Sequence, residues 1–252
     1  MDRRQIAEGY RAQLGLRGPS DLAGTDPELA AIRDRLVYGE IAVRGSLDQR
    51  QRRLVTLVAL AALQAVEEIG AETRAALRQG VGPQEIREAL YQCAPYLGFP
   101  RTEAALRRAD EALAGAGIAL PLPDGGTVTE EDRFDKGLAV QTAIFGDAIA
   151  KLHASAPEGQ EDILVRHLSA FCFGDIYTRS GLDLKLRELL TFVCLSALGG
   201  CEAQVRAHAQ GNLAVGNSRQ LLVDALTQVL PLMGFPRTLN ALACVNALPE
   251  DA

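Results

Sequence analysis

In GGCEAQVRAH, residues 199–208, a thiol, an amide and an imidazole stand at helical spacing as Cys201, Gln204 and His208. At about 3.6 residues per turn, positions three and seven apart share one face of a helix. An imidazole there can exchange a proton near neutral pH, a thiol can act as nucleophile or donor, and an amide can hold an oxyanion. The preceding RELLTFVCLSALGG, from Arg187 to Gly200, is almost wholly apolar and contains no Pro. It reads as a buried helix leading the strip inward, with Cys194 seven residues before Cys201 on the same helix, about 10 Å away. Polar groups on a buried strip need partners or a task.

The elements that position this strip are expected to be helices. Ala, Leu, Arg and Glu dominate, aromatic residues are 5% and Trp is absent, which is the composition of an all-α chain. With 252 residues, 48% of them hydrophobic, the chain can bury a large core in one domain or two. A net charge of −6, with no isolated Lys/Arg cluster, argues against nucleic acid as a partner. The five cysteines show no CxxC or other zinc spacing, so no metal is expected, and a reducing cytoplasm suits them better than a disulfide framework. The first residues lack the apolar stretch of a signal peptide, and the run Leu54–Leu63 is too short to span a bilayer. These features predict a cytoplasmic protein with no membrane partner. The Gly-, Pro- and Asp-rich stretch from Gly15 to Pro27 reads as a loop after a short first helix.

An internal repeat organises the chain. YGEIAVRGSLDQRQRRLVTLVALAAL, from Tyr38, matches FGDIYTRSGLDLKLRELLTFVCLSAL, from Phe173, at an offset of 135, and YLGFPRT matches LMGFPRT at an offset of 136. Two copies of one helical unit follow, expected at 1–115 and 129–252, joined by a Pro/Gly linker at 116–128. Thr129 and Asp132 look like a capping box opening a helix to about His153. Residues shared by the copies, among them Gly39/Gly174, Arg44/Arg179, Asp48/Asp183 and Thr56/Thr191, read as scaffold. The polar strip is not shared. Val66 stands opposite Cys201, Glu72 opposite His208 if the gap falls between them, Arg53 opposite Glu188 and Ala42 opposite Tyr177. The site is therefore expected in the second copy.

The pattern RELLTF…LGGCEAQVRAH…GNLAVGN…LPLMGFPRTLNAL, from Arg187 to Ala247, resembles the carboxymuconolactone decarboxylase family, which shares its helical core with alkylhydroperoxidase D. The resemblance covers both copies and is more specific in the second. It implies two tandem alkylhydroperoxidase D-like domains, and rings of domains that for this chain suggest a homo-oligomeric trimer with six pseudo-equivalent domains. In the peroxidase branch the helix carries CxxCxxxH with an upstream Glu in a proton relay. Cys201 and His208 match the first Cys and the His, Glu188 falls within one residue of the Glu, and Gln204 replaces the second Cys. Without that resolving thiol a disulfide-cycling peroxidase is disfavoured, and a one-cysteine version using an external thiol is left.

The decarboxylase branch implies cofactor-free loss of CO2 from a small carboxylated unsaturated lactone, whose conjugated carbonyl takes up the electron pair. On that reading His208 is the general acid, Glu188 orients it, and Cys201 and Gln204 donate hydrogen bonds to the developing oxyanion. Arg179 or Arg237 anchors a substrate carboxylate, with Tyr177 and Asn240 as further contacts. Each residue also has a structural reading: Cys201 as a small buried hydrophobe, Glu188 paired with a basic neighbour, and the two arginines as scaffold, since both recur in the first copy. A one-cysteine peroxidase using Cys201 and a non-catalytic ligand-binding scaffold stand as alternatives.

Overall fold

The computed structural model describes residues 2–16 and 21–249, and among these every regular element is a helix. In chain order they are α1 (Arg3–Gln13), α2 (Pro27–Leu36) running into a π turn at Val37–Ile41, α3 (Gln49–Ala62), α4 (Val66–Arg78), α5 (Pro83–Tyr91), α6 (Ala94–Leu97) and α7 (Phe99–Gly115). After the non-helical residues 116–128 come α8 (Arg133–Phe145), α9 (Ala148–Ala154), a wide π-helical segment at Asp162–Tyr177, α10 (Leu184–Leu198), α11 (Glu202–Ala214) and α12 (Arg219–Asn246). Of the stretch read as a loop between Gly15 and Pro27, residues 17–20 lie outside the described residues, and Asp21–Gly24 forms a 3-10 turn.

Two helices that are buried on nearly every side, α3 and α10, pack against each other at the centre, one from each copy of the repeat. Each starts from an aspartate that accepts a backbone amide: Asp48 from Gln51 at 2.7 Å, and Asp183 from Leu186 at 2.8 Å. The stretches 54–62 of α3 and 189–198 of α10 are apolar on nearly every side, and only such complete burial satisfies them. One continuous apolar core runs through both copies, from Leu54 and Val58 to Leu189, Phe192 and Val229. Among the described residues no helix is long and apolar enough to cross a membrane.

The duplication extends further than the sequence match. Gly39 and Gly174 bring their backbones so close to α1 and α8 that a Cβ would lie 2.2 Å from the carbonyl oxygen of Arg3 and of Arg133 respectively. Arg3 pairs with Glu40, and Arg133 with Asp175, beside those contacts. Helices α1 and α8 are thus equivalent, although their sequences show little resemblance. The two GFPRT segments also bend alike, at Gly98 (φ 77°, ψ 161°) and Gly234 (φ 75°, ψ 170°), a conformation that L side chains rarely adopt.

Three local expectations change. Asp132 accepts from the Thr129 amide at 2.8 Å, which is half of the expected capping box, but the helix ends at Phe145 because Gly146 turns the chain at φ +58° before α9. The helix carrying Cys194 ends at Leu198, and Gly199 and Gly200 both take positive φ (73° and 71°). Cys194 and Cys201 therefore belong to different helices. Cys201 is the N-cap residue before α11 (φ −139°, ψ 44°) rather than a member of a continuous helix, and only Gln204 and His208 of the strip are helical.

Candidate active site

Glu188 sits in the middle of α10 with no solvent exposure, where a carboxylate survives only if donors surround it. Tyr177, at the end of the π segment, donates its hydroxyl to Oε1 at 2.6 Å. His208 of α11, 7% exposed, brings Nδ1 to 3.0 Å from Oε2 and 3.3 Å from Oε1. The approach of α11 depends on Gly211, where a Cβ would fall 2.7 Å from Glu188 Oε2 and 2.8 Å from Ile144. Asn212 then ties the helices together, its amide donating to the carbonyls of Glu188 (2.9 Å) and His208 (2.7 Å).

Around this dyad stands a cluster of rings. Tyr96 and Phe145 meet the His208 imidazole edge to face, with centroids 5.7 and 5.3 Å away, and Phe173 packs on Tyr177 at 4.7 Å. Burial, with the Glu188 charge adding to it, holds the Tyr177 phenol well above its ordinary value, and burial does the same to Tyr96. Both hydroxyls therefore act as neutral hydrogen-bonding groups. Burial also pushes the Cys172 thiol, 3.6 Å from the Tyr96 hydroxyl, up to about 12. The Glu188 contact occupies Nδ1 of His208, so Nε2 is the atom left for proton exchange.

The other residues singled out in the sequence lie elsewhere. Cys201, Arg237 and Asn240 line a separate cavity of about 320 Å³ with Gly199, Gly200 and Glu202, and His208 does not line it. Cys201 donates to the Leu195 carbonyl at 3.3 Å, and its thiol is raised, first by burial and then by the Glu202 charge. Asn240 donates to Glu202 at 3.3 Å, and Arg237 lies exposed over Gly199. Gln204 points from an exposed position of α11.

Arg179, read as a carboxylate anchor, has an internal partner. Its guanidinium grips Glu88 of the first copy at 3.0–3.1 Å and stacks over Tyr91 at 4.9 Å. In place of the dyad the first copy holds a guanidinium–carboxyl contact of opposite layout, Arg53 with Glu72 at 3.0 Å, at the two positions that match Glu188 and His208. Sequence reasoning missed Tyr96, which the first copy contributes to the second copy's site. Its signal was present, because LMGFPRT has Leu232 where YLGFPRT has Tyr96.

A family model for the carboxymuconolactone decarboxylase family matches residues 27–111 and 164–247, one segment in each copy. The chain belongs to the carboxymuconolactone decarboxylase family. Among relatives, a 4-carboxymuconolactone decarboxylase of Acinetobacter baylyi is 35% identical over 85 residues, 34% of this chain and 63% of that protein. A nitrosuccinic acid decarboxylase of Metarhizium robertsii is 41% identical over 63 residues, 25% of this chain and 44% of that protein. The chain thus spans less than two thirds of the length of either of these relatives. The crystal structure of a protein described as a gamma-carboxymuconolactone decarboxylase subunit of Burkholderia xenovorans aligns over 98% of this chain and 97% of that chain, with a TM-score of 0.57. At 18% identity this likeness shows the fold alone, and it extends over both copies of the repeat.

Proposed function

We propose that this family member is a cofactor-free decarboxylase of a small carboxylated, conjugated substrate such as an unsaturated lactone, with His208 as general acid. The observation that carries the reading is the buried Tyr177–Glu188–His208 arrangement, which fixes Nδ1 and frees Nε2 within an aromatic surround. Loss of CO2 leaves the bonding electron pair on the substrate as a dienolate, delocalised onto the lactone carbonyl. Nε2–H of the imidazolium then gives its proton to carbon, and solvent restores it, so one carboxylate and one proton become CO2 and a C–H bond. Relatives named as decarboxylases support the reaction class. The raised Cys201 thiol, outside the dyad, gives less support to a thiol peroxidase, whose nucleophile works as the thiolate.

A CO2-release assay on carboxymuconolactone tests the reading. His208→Ala is expected to lower turnover by about 10²–10⁴-fold, the range of general acid catalysis, while Cys201→Ser stays within a few-fold of the parent. Peroxide consumption that depends on Cys201, without CO2 release, would replace the decarboxylase with the peroxidase.

A further inference from the structure

We infer that Gln92, from the first copy of the repeat, is a positioning residue that sets the tautomer of His208 through a one-way chain of buried hydrogen bonds. Its consequence for turnover rests on the function proposed above; its effect on the imidazole does not.

The direction of every bond in the chain follows from counting protons. Arg187 can only donate, so its Nη1, 2.9 Å from the Gln92 side chain, meets the amide oxygen. The Gln92 amide nitrogen then faces Thr191 and donates to Oγ1 at 3.1 Å. Tyr177 has a single hydroxyl proton and spends it on Glu188, so at 2.8 Å Thr191 must donate to Tyr177. For the same reason Tyr96 donates to Tyr177 at 3.2 Å, and Cys172 donates to Tyr96. Every donor points toward Glu188, whose second oxygen is left to accept from Nδ1–H of His208. The neutral imidazole is thereby held with its proton on Nδ1. Gln92, Thr191 and Arg187 are all buried, so water does not compete for these bonds.

The first copy supplies the control. Arg52, equivalent to Arg187, donates to Gln228, equivalent to Gln92, at 2.7 Å, so the same clasp between copies occurs twice. There it stops. Thr56, equivalent to Thr191, donates to the Arg52 carbonyl at 2.8 Å, and Ala42 stands where the second copy has Tyr177. The clasp serves the architecture in both copies and is prolonged to a histidine in one.

The experiment compares Gln92→Met and Thr191→Val with the mirror variants Gln228→Met and Thr56→Val, all in the full chain. ¹⁵N spectra of labelled histidine report the tautomer without substrate, and His208→Ala assigns the signal. The expected result is a neutral His208 protonated on Nδ1 in the parent and in both mirror variants. In Gln92→Met and Thr191→Val the tautomers mix, and the alkaline limb of the CO2-release profile, which reports loss of the acid's proton, moves by about half a pH unit or more. Thr191→Val keeps the arginine clasp, so it answers the question if Gln92→Met fails to fold. An Nε2-protonated parent would overturn the inference, as would Gln92→Met and Thr191→Val spectra indistinguishable from those of the mirror pair. If the assay is silent but the tautomers respond, the positioning role stands and the decarboxylase reading falls.

Discussion

Position 72 shows what one largely buried side chain, 13% exposed, does when its partner changes. In the second copy His208 accompanies a carboxylate, whereas in the first Glu72 accompanies Arg53. Burial raises the Glu72 carboxyl to about 7 from an ordinary 4.5, against the opposing pull of Arg53 and Arg78. The folded chain thus keeps this proton up to about pH 7, while the unfolded chain releases it near 4.5. Between those values folding takes up a proton, so this residue's contribution to stability falls as pH rises through the window. Glu72→Gln, which keeps a neutral side chain at all pH, is expected to match the parent below pH 4.5 and to exceed it by up to roughly 3 kcal/mol above pH 7. Urea unfolding of both proteins at pH 5 and pH 8 measures the difference. A gain that is equal at the two values would remove the titration from the account.

At the scale of elements, the site exists because helices approach more closely than side chains normally allow. Gly211 lets α11 lie against Glu188 and Ile144. Gly211→Ala improves helix propensity by up to about 1 kcal/mol, yet it drives a methyl group to within 2.8 Å of a buried carboxylate and a β-branched side chain. Overpacking of this kind costs about 1–3 kcal/mol, so the clash outweighs the propensity. The variant is expected to melt a few degrees lower and, because Glu188 must move, to lose more of its activity than of its stability. Thermal melts beside CO2-release rates check both halves of the statement. A glycine inside a helical stretch signals such a contact, but its target is invisible until the neighbouring helix is placed.

For the whole molecule, the two copies are bound into one body through charge as well as through the shared apolar core. Glu88 of the first copy has no exposure and accepts from Arg179 and Arg187 of the second. Removing one member of a buried ion cluster leaves the others uncompensated and costs about 3–5 kcal/mol. Glu88→Ala is expected to lose about that much in urea unfolding, with Arg179→Met/Glu88→Met recovering part of it. A loss below about 1 kcal/mol would mean that water replaces the carboxylate. Such a cluster also explains why Arg179 recurs in both copies: Arg44, its equivalent, gives its carbonyl to Arg52 just as Arg179 gives its carbonyl to Arg187.

Helical class, duplication and the family were legible in the sequence, because each rests on local composition, periodicity or order along the chain. The pairing of Glu188 with His208 was implied by the family resemblance, in which a Glu upstream joins the helix His, while comparison of the copies pointed only to the second copy as the one that holds the chemically able groups. The sequence placed Cys201 on the strip because helical spacing was extended through Gly199 and Gly200, where two positive-φ residues end one helix before the next begins. Only the tertiary structure separated the cavity at Cys201, Arg237 and Asn240 from the dyad, turned Arg179 inward and brought Tyr96 and Gln92 across from the first copy. These are contacts between residues about 75 to 110 positions apart, set by how the helices of the two copies pack on one another, and the pattern within each helix carries no record of them.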